Sequence, residues 1–202
     1  MLRPDLKTET APLKWSDFES LMGQLTYAVQ VGGEPSYYRM LLFAGITTYG
    51  GLRASDVLNL RWTDIIGKTT LIVREKKTGK VREIALNTKL QGVIALAHQL
   101  AAPTDLQLYA ISSRDSAGKK PLSLQYLNRW LKEVFARFNI KAQNASTHTF
   151  RKTFGRRVFE MNNQSEEALI TLSHIFNHSS ISITRAYIGL KRERITNIYM
   201  DL

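Results

Sequence analysis

Four short stretches of the sequence carry side chains whose types and spacing suit chemistry on an anion. In the first, Arg53 follows Gly50-Gly51 at a helix start whose first turn also holds Ser55 and Asp56. A helix start presents unpaired backbone N–H groups and the positive end of the helix dipole, so an arginine there suits a phosphate. The structural alternative is an ion pair with Asp56, three positions along. In the second, Arg74-Glu75-Lys76-Lys77-Thr78-Gly79-Lys80-Val81-Arg82 gathers five cations around one turn. That suits entry into a nucleic-acid groove, and equally the charged protection of a sheet edge. In the third, His148 and Arg151 stand three residues apart on one helix edge, where an imidazole and a guanidinium reach the same anionic group. Gly155, one turn on, leaves room for that group or for a neighbouring backbone; a surface helix with an incidental basic pair has the same pattern. In the fourth, Phe176 to Tyr187, Asn177 suits the left-handed residue that ends a helix, and Ser179 or Ser180 the cap of the next. His178 and Tyr187 then sit on opposite sides of a turn, although a lone helical tyrosine is ordinarily a packed aromatic. His98 and His174 read as helix-surface or core-edge residues.

A mainly helical α+β fold with a small antiparallel sheet is expected to position these groups. A first helix begins at Trp15, where Ser16 and Glu19 have capping-box spacing and Phe18, Leu21, Met22 and Leu25 share a face. An apolar helix over 36–48 is broken by Gly50-Gly51, and a short helix follows over 54–60. Between Asp64 and Leu86 the pattern changes to β-branched residues with Thr78-Gly79 as a hairpin turn. Helical periodicity returns near 91–100 and again over 124–138, where Leu127, Trp130, Leu131, Val134, Phe135 and Phe138 make a wide stripe. A polar, lysine-bearing loop over 112–122 separates the two. Three more helices are expected at 147–162, with Phe150, Phe154, Val158 and Met161 on one face, at 165–176 and at 180–188. Residues 1–14 read as a leader or interdomain linker remnant punctuated by Pro4 and Pro12. Residues 15–202 read as one domain, with a tail from 190 whose Ile195, Ile198, Tyr199 and Leu202 lie at helical spacing.

Composition narrows the chemistry. The chain has 202 residues, 28 Lys and Arg against 17 Asp and Glu, and a net charge of +11, which favours a polyanionic partner, nucleic acid or an acidic membrane surface. Without cysteine there is no disulfide, thiolate nucleophile or Cys-based zinc site, and the four histidines lack metal-ligand spacing. The first fourteen residues lack the apolar core of a secretory signal, and the most apolar stretch, 37–52, is interrupted by Arg39 and the glycine pair. The expectation is a cytoplasmic protein without metal or cofactor.

In order and spacing, G-L-R-A-S-D at 51–56, K-T-G at 77–79, H-T-F-R at 148–151 and N-H-S-S-I-S-I-T-R-A-Y at 177–187 resemble the tyrosine recombinase (phage integrase) family. The resemblance runs from about Trp15 to Ile188. It implies the catalytic-domain fold of that family and an activity that cleaves and rejoins duplex DNA at particular sites through a 3′-phosphotyrosyl intermediate. By resemblance, Arg53 and Arg151 hold the scissile phosphate and Lys77 protonates the departing 5′ oxygen. His148 and His178 assist proton transfer or bond the phosphate, Tyr187 is the nucleophile, and Asp56 supports the arrangement from behind. Asn177 replaces the family's usual glycine and Phe150 a common leucine. Arg74, Lys76, Lys80, Arg82, Lys119, Lys120 and Lys152 are expected to contact DNA. Lys77 is chosen over Lys76 by alignment with the family motif, and since strand neighbours face opposite ways, Lys77→Ala is expected to cripple cleavage far more than Lys76→Ala. The partners implied are double-stranded DNA and further copies of the chain, a monomer assembling into a tetramer on DNA. The family usually adds an amino-terminal DNA-binding domain, so the expected chain is an excised catalytic domain or a short stand-alone recombinase. The alternatives are a type IB topoisomerase and a catalytically silent DNA-binding regulator.

Overall fold

The structure is a computed structural model that describes residues 10–190 and 198–201. Nine α-helices and one hairpin are present among them: α1 Trp15–Gln30, α2 Tyr38–Gly50, α3 Ala54–Leu58, α4 Trp62–Ile65, β1 Thr70–Arg74, β2 Val81–Ala85, α5 Thr88–Ala101, α6 Leu124–Arg137, α7 His148–Met161, α8 Glu166–Phe176 and α9 Ile181–Tyr187. The two strands pair antiparallel, Thr70 opposite Ala85 and Arg74 opposite Val81.

Helix α2 is apolar around nearly its whole circumference beyond Arg39, so it lies inside, and its run from Met40 to Ile46 is buried throughout. Helices α1, α5 and α7 pack around it, and α6 adds its stripe of Leu127, Leu131, Val134 and Phe135. A second, smaller cluster of Phe159, Ala168, Leu169, Leu172, Phe176 and Ile188 lies beneath α8 and α9. Helix α7 belongs to both: Phe150 is in the large core and Phe159 in the small one. Its rigid span therefore fixes His148 and Arg151 relative to the turn between α8 and α9.

Polar side chains cap four of the helices. Asn87 accepts from the Leu90 amide, Ser123 from Tyr126, Ser165 from Ala168 and Ser180 from Ile183, at 2.9–3.3 Å. Ser16 and Glu19 form no such box. Helix α1 starts at Trp15 behind Lys14, without a side-chain cap, because Leu13 is buried and its amide bonds Thr153 Oγ1 at 2.9 Å. That contact draws the preceding chain onto α7, so residues 10–14 lie on the domain: Ala11 N donates to Gln143 O at 3.1 Å. Residues 1–9 of the expected leader, and Ile195 and Leu202 of the tail, lie outside the described residues.

Three further expectations need correction. The hairpin turn is longer than Thr78-Gly79: Glu75 N bonds Lys80 O and Gly79 N bonds Glu75 O, both at 2.8 Å, leaving Lys76 to Gly79 as a four-residue loop. Strand alternation consequently says nothing about Lys76 and Lys77, which are not on a strand. Met161, placed on one face of α7 with Phe150, Phe154 and Val158, does not share the burial of Phe150 and is exposed, since the helix runs past the end of the core there.

Candidate active site

Helix α2 ends at Gly50 and is capped by Gly51, which has φ +61° and leaves no space for a side chain: a Cβ there would lie 2.6 Å from the Phe154 ring. The sharp exit turns Arg53 toward α7 and α8. Its Nη2 donates to the backbone carbonyl of Phe176 at 3.1 Å. From α7, buried Arg151 donates Nη1 to Gly51 O at 2.8 Å and Nη2 to the same Phe176 carbonyl at 3.3 Å. Two guanidiniums from segments about a hundred residues apart thus converge on one oxygen, the last carbonyl of α8, at the negative end of that helix.

The nucleophile candidate closes the same space. Tyr187, the last residue of α9, packs its ring 5.2 Å from Phe176 and 5.1 Å from His178. Burial raises its pKa, against the charge and hydrogen bond of Arg151 and the charge of Arg53. Arg151 itself is lowered by burial to about 10, with Tyr187 opposing the shift. His178 lies on the turn made by Asn177, left-handed at φ 55°, ψ 50°. Its Nδ1 is 3.0 Å from Thr184 Oγ1, and burial and then Arg151 and Arg53 lower its pKa. His148 begins α7; partial desolvation, then the charges of Arg151, Lys152 and Arg53, lower its pKa too. Both imidazoles are therefore neutral at pH 7.

The structure brings together Arg53, Arg151, His178 and Tyr187 by direct contact, and His148 through its charge coupling to the arginines. It does not bring in Lys77, which is exposed on the hairpin loop and forms no hydrogen bond or ion pair among the described residues. Asp56 does not pair with Arg53. It is buried, and its Oδ1 accepts the Lys76 amide at 2.9 Å, which fastens the hairpin to α3. Arg53 pairs instead with Glu75, whose Oε2 is 2.6 Å from Nη1, a residue that sequence reasoning passed over because it sits in a run of cations. Gly155 does not make room for an anion; a Cβ there would lie 2.7 Å from Ile188 and 2.8 Å from Phe176, so the space holds those side chains.

The expected DNA contacts divide into two groups. Arg74, Lys76, Lys80, Lys119 and Lys120 are exposed, and Lys80 Nζ donates to Asn177 Oδ1 at 2.6 Å, a bond that glycine at 177 could not accept. Arg82 and Lys152 do not project outward. Arg82 reaches back to Glu75 Oε1 at 3.4 Å. Lys152 is buried, with Nζ 5.0 Å over the Tyr187 ring, because its place on α7 faces α9. Phe150 is fully buried among Phe18, Phe43 and Phe135, so the larger ring fills the core. His98 stacks edge-on against Trp62 at 5.2 Å, away from the site. Among the described residues no helix is long and apolar enough to cross a membrane.

With this geometry in view, comparison with known proteins places the chain. The model of the phage integrase family matches residues 13–194. A Bacillus subtilis (strain 168) protein named "Probable integrase/recombinase YoeC" is 32% identical over 148 residues, 73% of this chain and 76% of that protein. One named "Probable integrase/recombinase" from Acholeplasma phage L2 is 24% identical over 97% of this chain and 64% of its own length. Among solved structures, XerA recombinase superposes with a TM-score of 0.69 at 18% identity, covering 96% of this chain and 65% of that one. The fold is therefore the one XerA has, and the chain spans just under two thirds of the phage relative and of XerA. The chain belongs to the phage integrase family, the tyrosine recombinases.

Proposed function

We propose that the chain is the catalytic unit of a site-specific DNA recombinase that cleaves and rejoins duplex DNA through a 3′-phosphotyrosyl intermediate. The single observation that carries this reading is the convergence of Arg53 and Arg151 on the Phe176 carbonyl beside the Tyr187 phenol. An oxygen held by two guanidiniums marks where a phosphate oxygen would be held when DNA enters, since paired N–H donors neutralise and orient an anion at once.

The chemistry follows from the groups present. A phosphodiester resists attack because its negative charge repels nucleophiles, and in other phosphoryl-transfer enzymes an arginine clamp is worth about 10³–10⁵ in rate. Tyr187 rests as the protonated phenol, because burial outweighs the arginines. A neutral His178 or His148 can take its proton as the oxygen attacks phosphorus. The P–O bond to the 5′ oxygen breaks, and a proton delivered by Lys77 converts that oxygen to a hydroxyl. The covalent phosphotyrosine retains the ester, so a second 5′ hydroxyl reverses the step without ATP. Exposed Arg74, Lys76, Lys80, Lys119 and Lys120 supply the sequence-independent attraction to DNA, while phosphate contacts set position rather than sequence. The working form on DNA is a tetramer of a chain that is monomeric alone, and the compartment is cytoplasmic.

The test uses a DNA duplex selected by this chain from a random-sequence pool, resynthesised with a nick beside the cleavage point so that the cleaved strand cannot rejoin. A covalent protein–DNA band on a denaturing gel, absent in Tyr187→Phe and unchanged by chelator, is the expected result. Tight binding with no adduct would assign the chain to DNA-binding regulators.

A further inference from the structure

Glu75 is the one anion of the cationic stretch 74–82 and lies outside the K-T-G motif, yet its side chain is 1% exposed, and a carboxylate that deep persists only when paired. Its partners come from two different parts of the site. One is the phosphate clamp: Oε2 stands 2.6 Å from Arg53 Nη1 in an ion pair. The other is the hairpin. Thr78 Oγ1 donates to Oε2 at 2.8 Å, Arg82 Nη1 lies 3.4 Å from Oε1, and the Glu75 backbone closes the loop through bonds to Gly79 and Lys80. Lys77 hangs in that loop between Glu75 and Thr78.

We propose that Glu75 is a positioning residue that joins the hairpin loop carrying Lys77 to Arg53, so that proton donor and phosphate clamp are set as one unit. The other ties between the hairpin and the elements around the clamp come from the Lys76 amide to Asp56 Oδ1, from Lys80 Nζ to Asn177 Oδ1 and from Arg82 Nη2 to Gly50 O, and none of them touches the Arg53 side chain. Glutamine at 75 would keep the shape but leave two guanidiniums flanking an uncharged amide whose own N–H groups point at donors, so the joint would open. The inference rests on Lys77 being the proton donor, and the experiment separates the two claims.

Cleavage by the full chain is timed on two versions of the nicked duplex, one with the ordinary 5′ oxygen and one with a bridging 5′ sulfur, which departs as a thiolate without needing a proton. The readout is the sulfur-to-oxygen rate ratio. Lys77→Ala raises this ratio strongly if Lys77 is the acid. Glu75→Gln lowers oxygen cleavage by about 10²-fold, the low end for a misplaced general acid, and raises the ratio at least about tenfold over wild type. Thr78→Val, a substitution on the exposed loop that threatens the fold little, shifts the ratio in the same direction by less. A raised ratio in Lys77→Ala with an unchanged one in both Glu75→Gln and Thr78→Val overturns the coupling role alone. Unchanged ratios in all three overturn the acid assignment and the coupling with it. If Glu75→Gln is shown by its melting curve to be unfolded, Thr78→Val decides.

Discussion

At the residue scale the central feature is Arg151, whose four-atom fork is spent on two backbone carbonyls while it also touches the phenol. Lysine has one charged point where arginine has a planar fork, so Arg151→Lys is not conservative here. It should reduce adduct formation at least about 10³-fold, the range of an arginine clamp. It should also lower the melting temperature, because the carbonyls of Gly51 and Phe176 lose buried donors. The histidines give a pH signature. Both pKa values lie below the usual 6.5, so each ring stays neutral and able to accept a proton until the pH falls under that value. The acid limb of single-turnover cleavage at subsaturating DNA, which reports the free enzyme, should therefore have its midpoint below 6.5; a midpoint above 6.5 would contradict the desolvated site. Stability has the matching sign. Below 6.5 the unfolded chain takes up protons that the folded histidines refuse, so stability falls as pH drops through that window. Glu75 is held below 4.5 because contacts from Arg53 and Thr78 outweigh its burial. Its stabilisation is present above 4.5 and disappears as pH falls through its folded value, a second loss visible in an acid titration of melting temperature.

At the scale of elements, α7 and the α8–α9 turn form one packed unit. Gly155→Ala would push a methyl into Ile188 and Phe176, and such overpacking costs about 1–3 kcal/mol. Because Phe176 supplies both the shared carbonyl and the ring beside Tyr187, the substitution should slow cleavage more than it weakens DNA binding, measured side by side on one duplex. The same elements show what could be read in the sequence. Asn177 and Ser180 were legible because caps and left-handed residues are local chemistry, whereas His178 and Tyr187 were legible through the order and spacing of the family's motifs. Arg53, His148 and Arg151 were legible as an ordered set of motifs. Glu75, the true partner of Arg53, was not: nothing local distinguishes a buried glutamate in a cationic loop, and the contact that pairs it closes only when α3 and the hairpin dock. The inward turn of Lys152 and Arg82 was hidden for the same reason, since a charge census treats every cation as facing solvent. The failed capping box at Ser16 shows a tertiary contact, Leu13 against Thr153, overriding a local signal.

For the whole molecule, the net charge of +11 together with the exposed hairpin and loop lysines predicts DNA binding dominated by counterion release. If the chain touches about 6–10 phosphates, its affinity should drop about 10³–10⁵-fold between 50 and 200 mM salt, and alanine at Lys119 and Lys120 should flatten that slope without changing sequence preference. A weak salt dependence would mean that the basic surface is not the DNA face. Exposed Ile198, Tyr199 and Met200 give the tail an apolar aspect suited to a neighbouring copy, so removing residues 191–202 should leave a folded monomer that binds DNA without forming tetramers. The most direct check of the whole account is the chemical location of the covalent bond. After the nicked duplex is cleaved, the adduct is digested with trypsin and nuclease and the linked peptide is sequenced by mass spectrometry. The convergence of Arg53 and Arg151 beside one phenol predicts a 3′-phosphonucleotide on Tyr187, within the peptide 186–191. A nucleotide on any other residue, Tyr199 included, or one linked through its 5′ phosphate, would contradict it.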